Sequence, residues 1–551
     1  MLAIERVHIV IAAFMLLTVV MGGRVVFLHI YEKDFLQGEG DARTVRIDKI
    51  PAHRGMILDR LGKPLAISTP VLSLWAKPAE LLKTPDNLQI LASMLKVPLP
   101  TFEEKLERSK GKSFVYIRRH MPPKKARQIL DLKIKGVYSE REYKRFYPAG
   151  EVAAHVVGYT NVDDKGQEGL ELSYDSWLQG EEGKKKVLKN LYGEIIRDLE
   201  PISDALPGKN LDLSIDLRLQ YLAYRELKNA VSYHQAKSGS VVIVEVETGA
   251  ILALVNQPSY NPNNRQALEL ASVRNRAVTD VFEPGSTVKP FTIAVALNSD
   301  MFDPTSTIDT SPGFIKVGNK TIPDPRNYGV LDLGGIIEKS SQVGISKLAL
   351  NLDPVSIWSM FSDIGFGHST GIGFPGERSG YLPNRRRWKD IERVTFAYGY
   401  GFQVTPLQLA AAYQVIAASG LKRPLSLVQS AIEAPVRVLD KGIATQLKTM
   451  LTRVVTEGTG SRAAINAFSV AGKTGTVRKV GKSGYEDTRH LAFFAGMTPV
   501  KNPKLVGVVM INEPKGKEYG GGAIAAPLFS KIMSEALRLM NVAPMVIEEA
   551  A

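Results

Sequence analysis

Glu283-Pro284-Gly285-Ser286-Thr287-Val288-Lys289 is the stretch around which the rest of this chain is organised. Pro284 and Gly285 break whatever precedes them. An apolar helical run, Phe291-Thr292-Ile293-Ala294-Val295-Ala296-Leu297, follows. Ser286 is therefore expected at or near a helix N-terminus, where serine is a favoured cap. Lys289 lies three residues on, so its side chain shares a helix face with Ser286. A serine hydroxyl is a weak nucleophile until a base takes its proton. A lysine in a dry pocket at the positive end of a helix has its pKa pushed down and can be that base.

The Ser-x-x-Lys pattern alone carries little weight. Ser109-Lys110-Gly111-Lys112 also matches, inside a charged run with no apolar helix after it, and reads as a solvated loop. Taken by itself, Ser286 would be an ordinary helix cap, so the signal has to come from partners elsewhere in the chain.

With 551 residues, 44% hydrophobic and 23% charged, the chain can bury the cores of two or more domains. A formal net charge of +14 suits an anionic partner: nucleic acid, a membrane surface or an anionic glycan precursor. No RNP-like aromatic motif, zinc spacing or basic helix supports nucleic acid. There is no cysteine, which excludes disulfides and thiol chemistry. No residue cluster implies a metal or an organic cofactor. Val7 to Gly23 is apolar apart from His8 and Thr18, and after Arg24 the run continues through Leu28. That is long enough for one transmembrane helix, with Arg24 snorkelling. No small-x-small cleavage site follows, so an uncleaved anchor is preferred to a signal peptide.

The expected organisation is a short cytoplasmic tail (1–6), an anchor (7–28), a stalk and non-catalytic pedestal (29–208), a catalytic domain (209–545) and a tail (546–551). Arg54 to Gly62 alternates apolar and charged residues like a salt-bridged strand with no catalytic role, then turns at Gly62. Residues 78–135 carry helical periodicity interrupted by prolines. Arg145 to Gly150, Glu168 to Glu171 and the basic run Lys184-Lys185-Lys186 offer no acid–base constellation. From Leu211 the character changes. Leu217 to Val231 predicts an amphipathic helix. Ser240 to Val246 and Ile251 to Val255 predict a hairpin. Helices then dominate to about residue 465. Phe468 to Ala471, His490 to Ala495 and Lys504 to Ile511 read as strands, Gly481 to Thr488 as a hairpin loop, and Ala526 to Met540 as a last helix. Strands at both ends with helices between imply one α+β domain whose sheet the C-terminal strands complete.

Three ordered motifs now stand together: Ser286-x-x-Lys289, then Lys339-Ser340-Ser341-Gln342-Val343-Gly344, then Lys473-Thr474-Gly475-Thr476. With Arg54 to Gly62, Arg145 to Gly150, Asp280 to Pro290, Tyr398 to Pro406 and the single anchor, the chain resembles the class B penicillin-binding proteins, most of all the septal peptidoglycan transpeptidases of cell division. The resemblance implies an antiparallel sheet flanked by helices, with the catalytic domain outside the cytoplasmic membrane. It implies that Ser286 is acylated, that Lys289 is its base, that Ser340 relays a proton to the leaving amine, and that Lys473 holds that network. Thr474 and Thr476, on one strand face, would bind the substrate carboxylate with help from Arg478. Gly475 would let the strand approach the serine. Backbone N–H groups of Ser286 and Thr476 would form the oxyanion hole. Tyr398 and Tyr519 would wall the cleft. The implied partners are D-alanyl-D-alanine stem peptides, an acceptor amine, β-lactams, a glycan polymerase of the SEDS type, other division proteins and the membrane.

Decoys exist. Lys482-Ser483-Gly484 fits the third motif but lies in the expected hairpin loop. Ser259-Tyr260-Asn261 fits the second but precedes Ser286. A phosphate loop at Gly472-Lys473-Thr474 lacks its earlier glycine, because Ala467 stands there. Two other functions remain open: a carboxypeptidase or β-lactamase using water in place of the amine, and a catalytically weak scaffold or sensor. Gln342 is the departure, since the family pattern has Asn there. The amide survives, with one more methylene and one more rotor. Gln342→Asn is expected to change acylation rates unequally across a panel of β-lactams; identical rates for every compound would contradict a role for the longer amide in gripping the acyl side chain.

Overall fold

The computed structural model describes residues 2–190, 195–266, 268–429, 433–481 and 484–544. The expected C-terminal tail and the Lys482-Ser483 part of one decoy lie outside them. The chain forms two compact units, and it passes between them several times. One comprises Met1–Arg54, Pro70–Tyr143 and Gln179–Lys209; the other comprises Gly55–Thr69, Lys144–Leu178 and Asn210–Ala551.

The first unit begins with α1 (Leu2–Ile30). Its segment Arg6–Ile30 has a mean hydropathy of 2.3 and is long and apolar enough to cross a membrane. In the expected polar stalk a helix spans Lys33–Thr44, and β1 (Val45–Ile50) follows. β1 pairs antiparallel with β2 (Gly183–Lys189), which pairs with β3 (Ile195–Ser203). The basic run is thus the middle strand of a sheet. Lys185 and Lys186 meet Asp198 and Glu200 across the strands, at 3.0 and 3.1 Å. In residues 78–135 the prolines open helices rather than break them: Pro78–Leu81, Pro85–Leu95, Leu99–Glu107 and Pro123–Leu130 each carry proline in the first turn. Their apolar faces meet through Leu81, Leu91, Phe102, Leu106 and Ile129. The Ser109 decoy follows the third of these helices in a turn whose Lys110, Gly111 and Lys112 are exposed.

In the second unit the sheet is five-stranded and antiparallel. Its strands are β4 (Ser238–Glu245), β5 (Ile251–Gln257), β6 (Ala471–Gly481), β7 (Gly484–Thr498) and β8 (Leu505–Asn512). They lie in the order β5-β4-β8-β7-β6, so the C-terminal strands do complete the sheet. Both faces are buried, as the continuous apolar runs require. Val241 and Ile243 pack against α2 (Leu217–Tyr233) and the last helix, Gly521–Leu539. Val242 and Val244 face the opposite layer, which includes α3 (Lys289–Leu297) and the helix Pro406–Ala417.

Three local readings change. Arg54 to Gly62 is strand only at Ile57–Leu58. Asp59, 1% exposed, spends its carboxylate on the N–H groups of Leu61, Lys63 and Leu217, which shapes the turn expected at Gly62, and Arg60 reaches Glu245 at 3.5 Å. The strand expected at Phe468 begins only at Ala471, because Phe468 and Val470 are tucked into the layer under the last helix. The loop expected over Gly481 to Thr488 is mostly strand: Gly481 pairs with Gly484, and Arg478 reaches Asp487 at 2.7 Å. Polar composition there reflects cross-strand charge pairs on an exposed ribbon, not absence of structure. Arg145 and Glu171, from two of the quoted motifs, form a fully buried ion pair at 2.6 Å. Ser259 donates to the Glu151 carbonyl and Tyr260 to that of Ala154, so the second-motif decoy is spent on structure.

Candidate active site

Gly285–Val288 forms a 3-10 turn that leads into α3. Ser286 therefore sits one turn ahead of the α-helix and is partly exposed, and Val288 rather than Ser286 occupies the cap position. The turn is fastened around the serine. The Thr287 hydroxyl donates to the Pro284 carbonyl at 2.7 Å, and the Tyr413 hydroxyl donates to the Thr287 carbonyl at 2.9 Å. The Gly285 N–H donates to the Gly399 carbonyl at 2.9 Å. A Cβ on Gly399 would lie 2.2 Å from the Gly285 oxygen, so only glycine allows this approach. Glu283 ties the turn to two further segments. It accepts from the Gly401 N–H and from the Tyr485 hydroxyl, both at 2.9 Å.

Lys289 is fully buried. Its Nζ donates to the Ser340 carbonyl at 2.6 Å and the Ser341 carbonyl at 3.2 Å, and lies 3.3 Å from the Ser340 hydroxyl. Burial pushes its pKa well below the ordinary lysine value, the nearby Lys473 pushes the same way, and the Asp324 carboxylate opposes them. Ser340 is placed by a break between two helices, Leu333–Glu338 and Gln342–Asn351. Its φ of +58° is a left-handed conformation that a non-glycine residue adopts only under constraint.

Lys473 lies on β6, fully buried, with its Nζ 3.3 Å from the Thr474 hydroxyl. Burial lowers its pKa to about 7. The Thr474 hydroxyl shares a hydrogen bond with that of Thr459 at 3.0 Å. Thr476 is exposed and accepts from the Gly521 N–H at 2.9 Å. The site thus gathers a partly exposed serine one turn ahead of a buried lysine, a second serine bonded to that lysine, and a second buried lysine on the edge strand.

A family model described as the penicillin-binding protein transpeptidase domain matches residues 239–534, and one described as the penicillin-binding protein dimerisation domain matches 49–213. The chain belongs to the penicillin-binding protein transpeptidase family. The peptidoglycan D,D-transpeptidase FtsI of Escherichia coli K12 is 43% identical over 531 residues, covering 95% of this chain and 90% of that relative. The probable peptidoglycan D,D-transpeptidase PenA of Neisseria gonorrhoeae is 41% identical over 546 residues, covering 98% and 93%. The crystal structure of penicillin-binding protein 3 from Mycobacterium tuberculosis in complex with aztreonam superposes with a TM-score of 0.70 at 25% identity, over 91% of this chain and 98% of that one.

The remaining residues of this penicillin-binding domain are placed as follows. A Cβ on Gly475 would lie 2.0 Å from the Phe493 ring, its cross-strand partner, and the Gly475 carbonyl crowds Gly521. The glycine thus makes room for Phe493 and the last helix. Arg478 is exposed and paired with Asp487. Tyr398 is 7% exposed beneath Tyr400, at 5.6 Å between rings, and burial pushes its pKa up to about 12. It is a buried support for the loop on the nucleophile turn. Tyr519 is 48% exposed and stacks at 4.2 Å on His490, the strand neighbour of Arg478.

Asp324 has no counterpart in the sequence reading. Its carboxylate accepts from the Ser341 hydroxyl and the Gln342 N–H, both at 2.5 Å, and from the Val343 N–H at 3.2 Å. It anchors the helix start that carries the second motif, as an anion at a helix N-terminus should. It lies 18 residues before Gln342, so no local capping pattern reveals it. Asp324→Asn removes an anion that favours the Lys289 ammonium. The pKa of Lys289 is expected to fall further, moving the pH dependence of Ser286 acylation to lower pH; an upward shift, or none, would contradict the electrostatic link.

Proposed function

We propose that this protein is the serine D,D-transpeptidase that cross-links peptidoglycan stem peptides at the division septum, through an acyl-enzyme on Ser286. The observation that carries this is Lys289: buried, depressed in pKa, bonded to Ser340 and one turn from Ser286. Lys289 takes the Ser286 proton as Oγ attacks the carbonyl of the penultimate D-alanine. The C–N bond to the terminal D-alanine breaks, and the Ser340 hydroxyl passes a proton to the leaving amine. An amine from a neighbouring stem then attacks the ester carbonyl, loses its proton to Lys289, and Ser286 is released. Backbone N–H groups of Ser286 and Thr476 receive the developing oxyanion, a contribution of roughly 10²–10³ in rate per donor. Thr474, Thr476 and Arg478 hold the substrate carboxylate, and Lys473 supplies positive potential beside it. β-Lactams stop at the acyl-enzyme.

The apolar α1 anchors the chain in the cytoplasmic membrane, with the catalytic unit on the periplasmic side. The working partners are a SEDS-type glycan polymerase and other division proteins.

A base must be unprotonated, so acylation should accelerate as pH rises through the Lys289 pKa, with the rise complete well below the ordinary lysine range. Fluorescent penicillin should label one peptide, containing Ser286, with a long-lived adduct that Ser286→Ala abolishes. Fast turnover of the adduct would favour a hydrolase. No adduct on folded protein would favour a scaffold.

A further inference from the structure

A second cleft of about 380 Å³ opens in the catalytic unit, lined by His155, Tyr159, Glu168, Tyr260, Leu270 and Arg274 among others. It adjoins the end of β5, the opposite edge of the sheet from β6. Four strand spacings, about 19 Å, separate the two edges. No residue of the Ser286–Lys289, Lys339–Gly344 or Lys473–Thr476 motifs lines it.

The cleft presents a carboxylate on a rigid frame. Tyr159 and Glu168 face each other directly across a two-stranded ribbon, so their side chains share one face. The main chain there leaves no play. A Cβ on Gly158 (φ +79°) would lie 1.7 Å from the Glu168 oxygen, and one on Gly169 (φ +60°) would lie 2.7 Å from the Gly158 nitrogen. The Glu168 carboxylate is partly buried, and among the described residues it receives no side-chain hydrogen bond or ion pair. Burial pushes its pKa up, and no neighbouring cation offsets this. Among the described residues, neither cation nearby pairs with Glu168. Arg274 bonds Asp280 at 2.7 Å, and Arg265 lies on the Tyr159 ring at 4.5 Å without reaching Glu168. His155 is neutral, its pKa lowered to about 4 by burial. Tyr260 stands edge-on to Tyr159 at 6.0 Å, with its hydroxyl spent on Ala154. At the rim, Leu270 is 84% and Leu172 43% exposed.

A desolvated carboxylate without a cation is unfavourable, and a ligand ammonium relieves that cost. Tyrosine rings beside it attract the same group. The apolar rim suits the methylene stem that carries an ammonium. We propose that this cleft binds an alkylammonium group, and that its occupant is the free amine of an uncross-linked stem peptide held away from Ser286. The choice of stem peptide rests on the proposed function, in which every acceptor stem carries such an amine. The cleft would then keep a growing glycan strand at the enzyme between cross-links.

The test uses the full-length protein in detergent, with Ser286 first acylated by benzylpenicillin and the adduct checked by mass spectrometry. Failure of that first step bears on the proposed function alone, and the titrations then proceed on the unacylated protein. Calorimetric titration compares Nα-acetyl-lysine amide with its isostere Nα-acetyl-norleucine amide. The lysine probe should bind roughly 10-fold more tightly. Glu168→Gln should abolish that preference. Should that variant not fold, Tyr159→Leu should reduce the preference several-fold. A synthetic stem tetrapeptide with a free side-chain amine should bind, and its N-acetylated form should not. Equal binding of the two amides, or a preference that survives Glu168→Gln, would overturn the ammonium site. Binding of the lysine amide without the stem peptide would overturn the assigned occupant and point to a lysine of a partner protein.

Discussion

Two lysines buried side by side, Lys289 and Lys473, set the terms for the rest of the catalytic unit. Neither is exposed, and the charge of Lys473 disfavours charge on Lys289. Both would be ordinary ammonium groups in water. Here desolvation pushes the pKa of both down, which is what a lysine acting as a base requires. The surrounding structure makes that burial possible. Ser340 and Ser341 carbonyls take the Lys289 hydrogens, and Asp324 holds the start of the helix that follows them. The same Asp324 limits how far the pKa falls. Geometry and electrostatics at Lys289 thus share one carboxylate.

The sheet serves this arrangement through its edge. β6 brings Lys473 to the Ser286 turn, where a Cβ on Gly285 would meet Val477 at 3.8 Å. Gly475 lets Phe493 lie flat across the strand, which fixes β6 against β7 and the last helix. The fastening of the turn through Gly399, Gly401 and Tyr485 comes from segments more than a hundred residues downstream. This is why a serine on a short 3-10 turn can be held without serving as a helix cap.

Much of this was legible in the chain. Continuous apolar runs at Ser240 to Val246 and Lys504 to Ile511 announce strands covered on both faces, and the period of Leu217 to Val231 announces a helix with one buried side. Three ordered motifs carry the family. What escaped is what depends on contacts distant in sequence. Asp324 is an acid between two prolines until the fold brings it under Gln342. Tyr398 reads as a wall, yet it is covered by Tyr400. Gly475 reads as a close approach to the serine, and its crowding by Phe493 across the strand is not visible in the sequence. The polar ribbon at Gly481 to Thr488 reads as loop, because its pairing partners are charges rather than apolar side chains. Arg145 and Glu171 reveal themselves only as a pair, since neither alone is compatible with burial.

The most direct measurement is the pKa of Lys289 itself, by pH-dependent reductive methylation of the intact protein with the extent at Lys289 quantified by peptide mass spectrometry, checked against an exposed lysine such as Lys501 in the same sample. The account predicts a Lys289 midpoint well below the ordinary lysine value of 10.5, rising toward it when Lys473 is replaced by Met. A Lys289 midpoint at 10.5, unmoved by Lys473→Met, would contradict it.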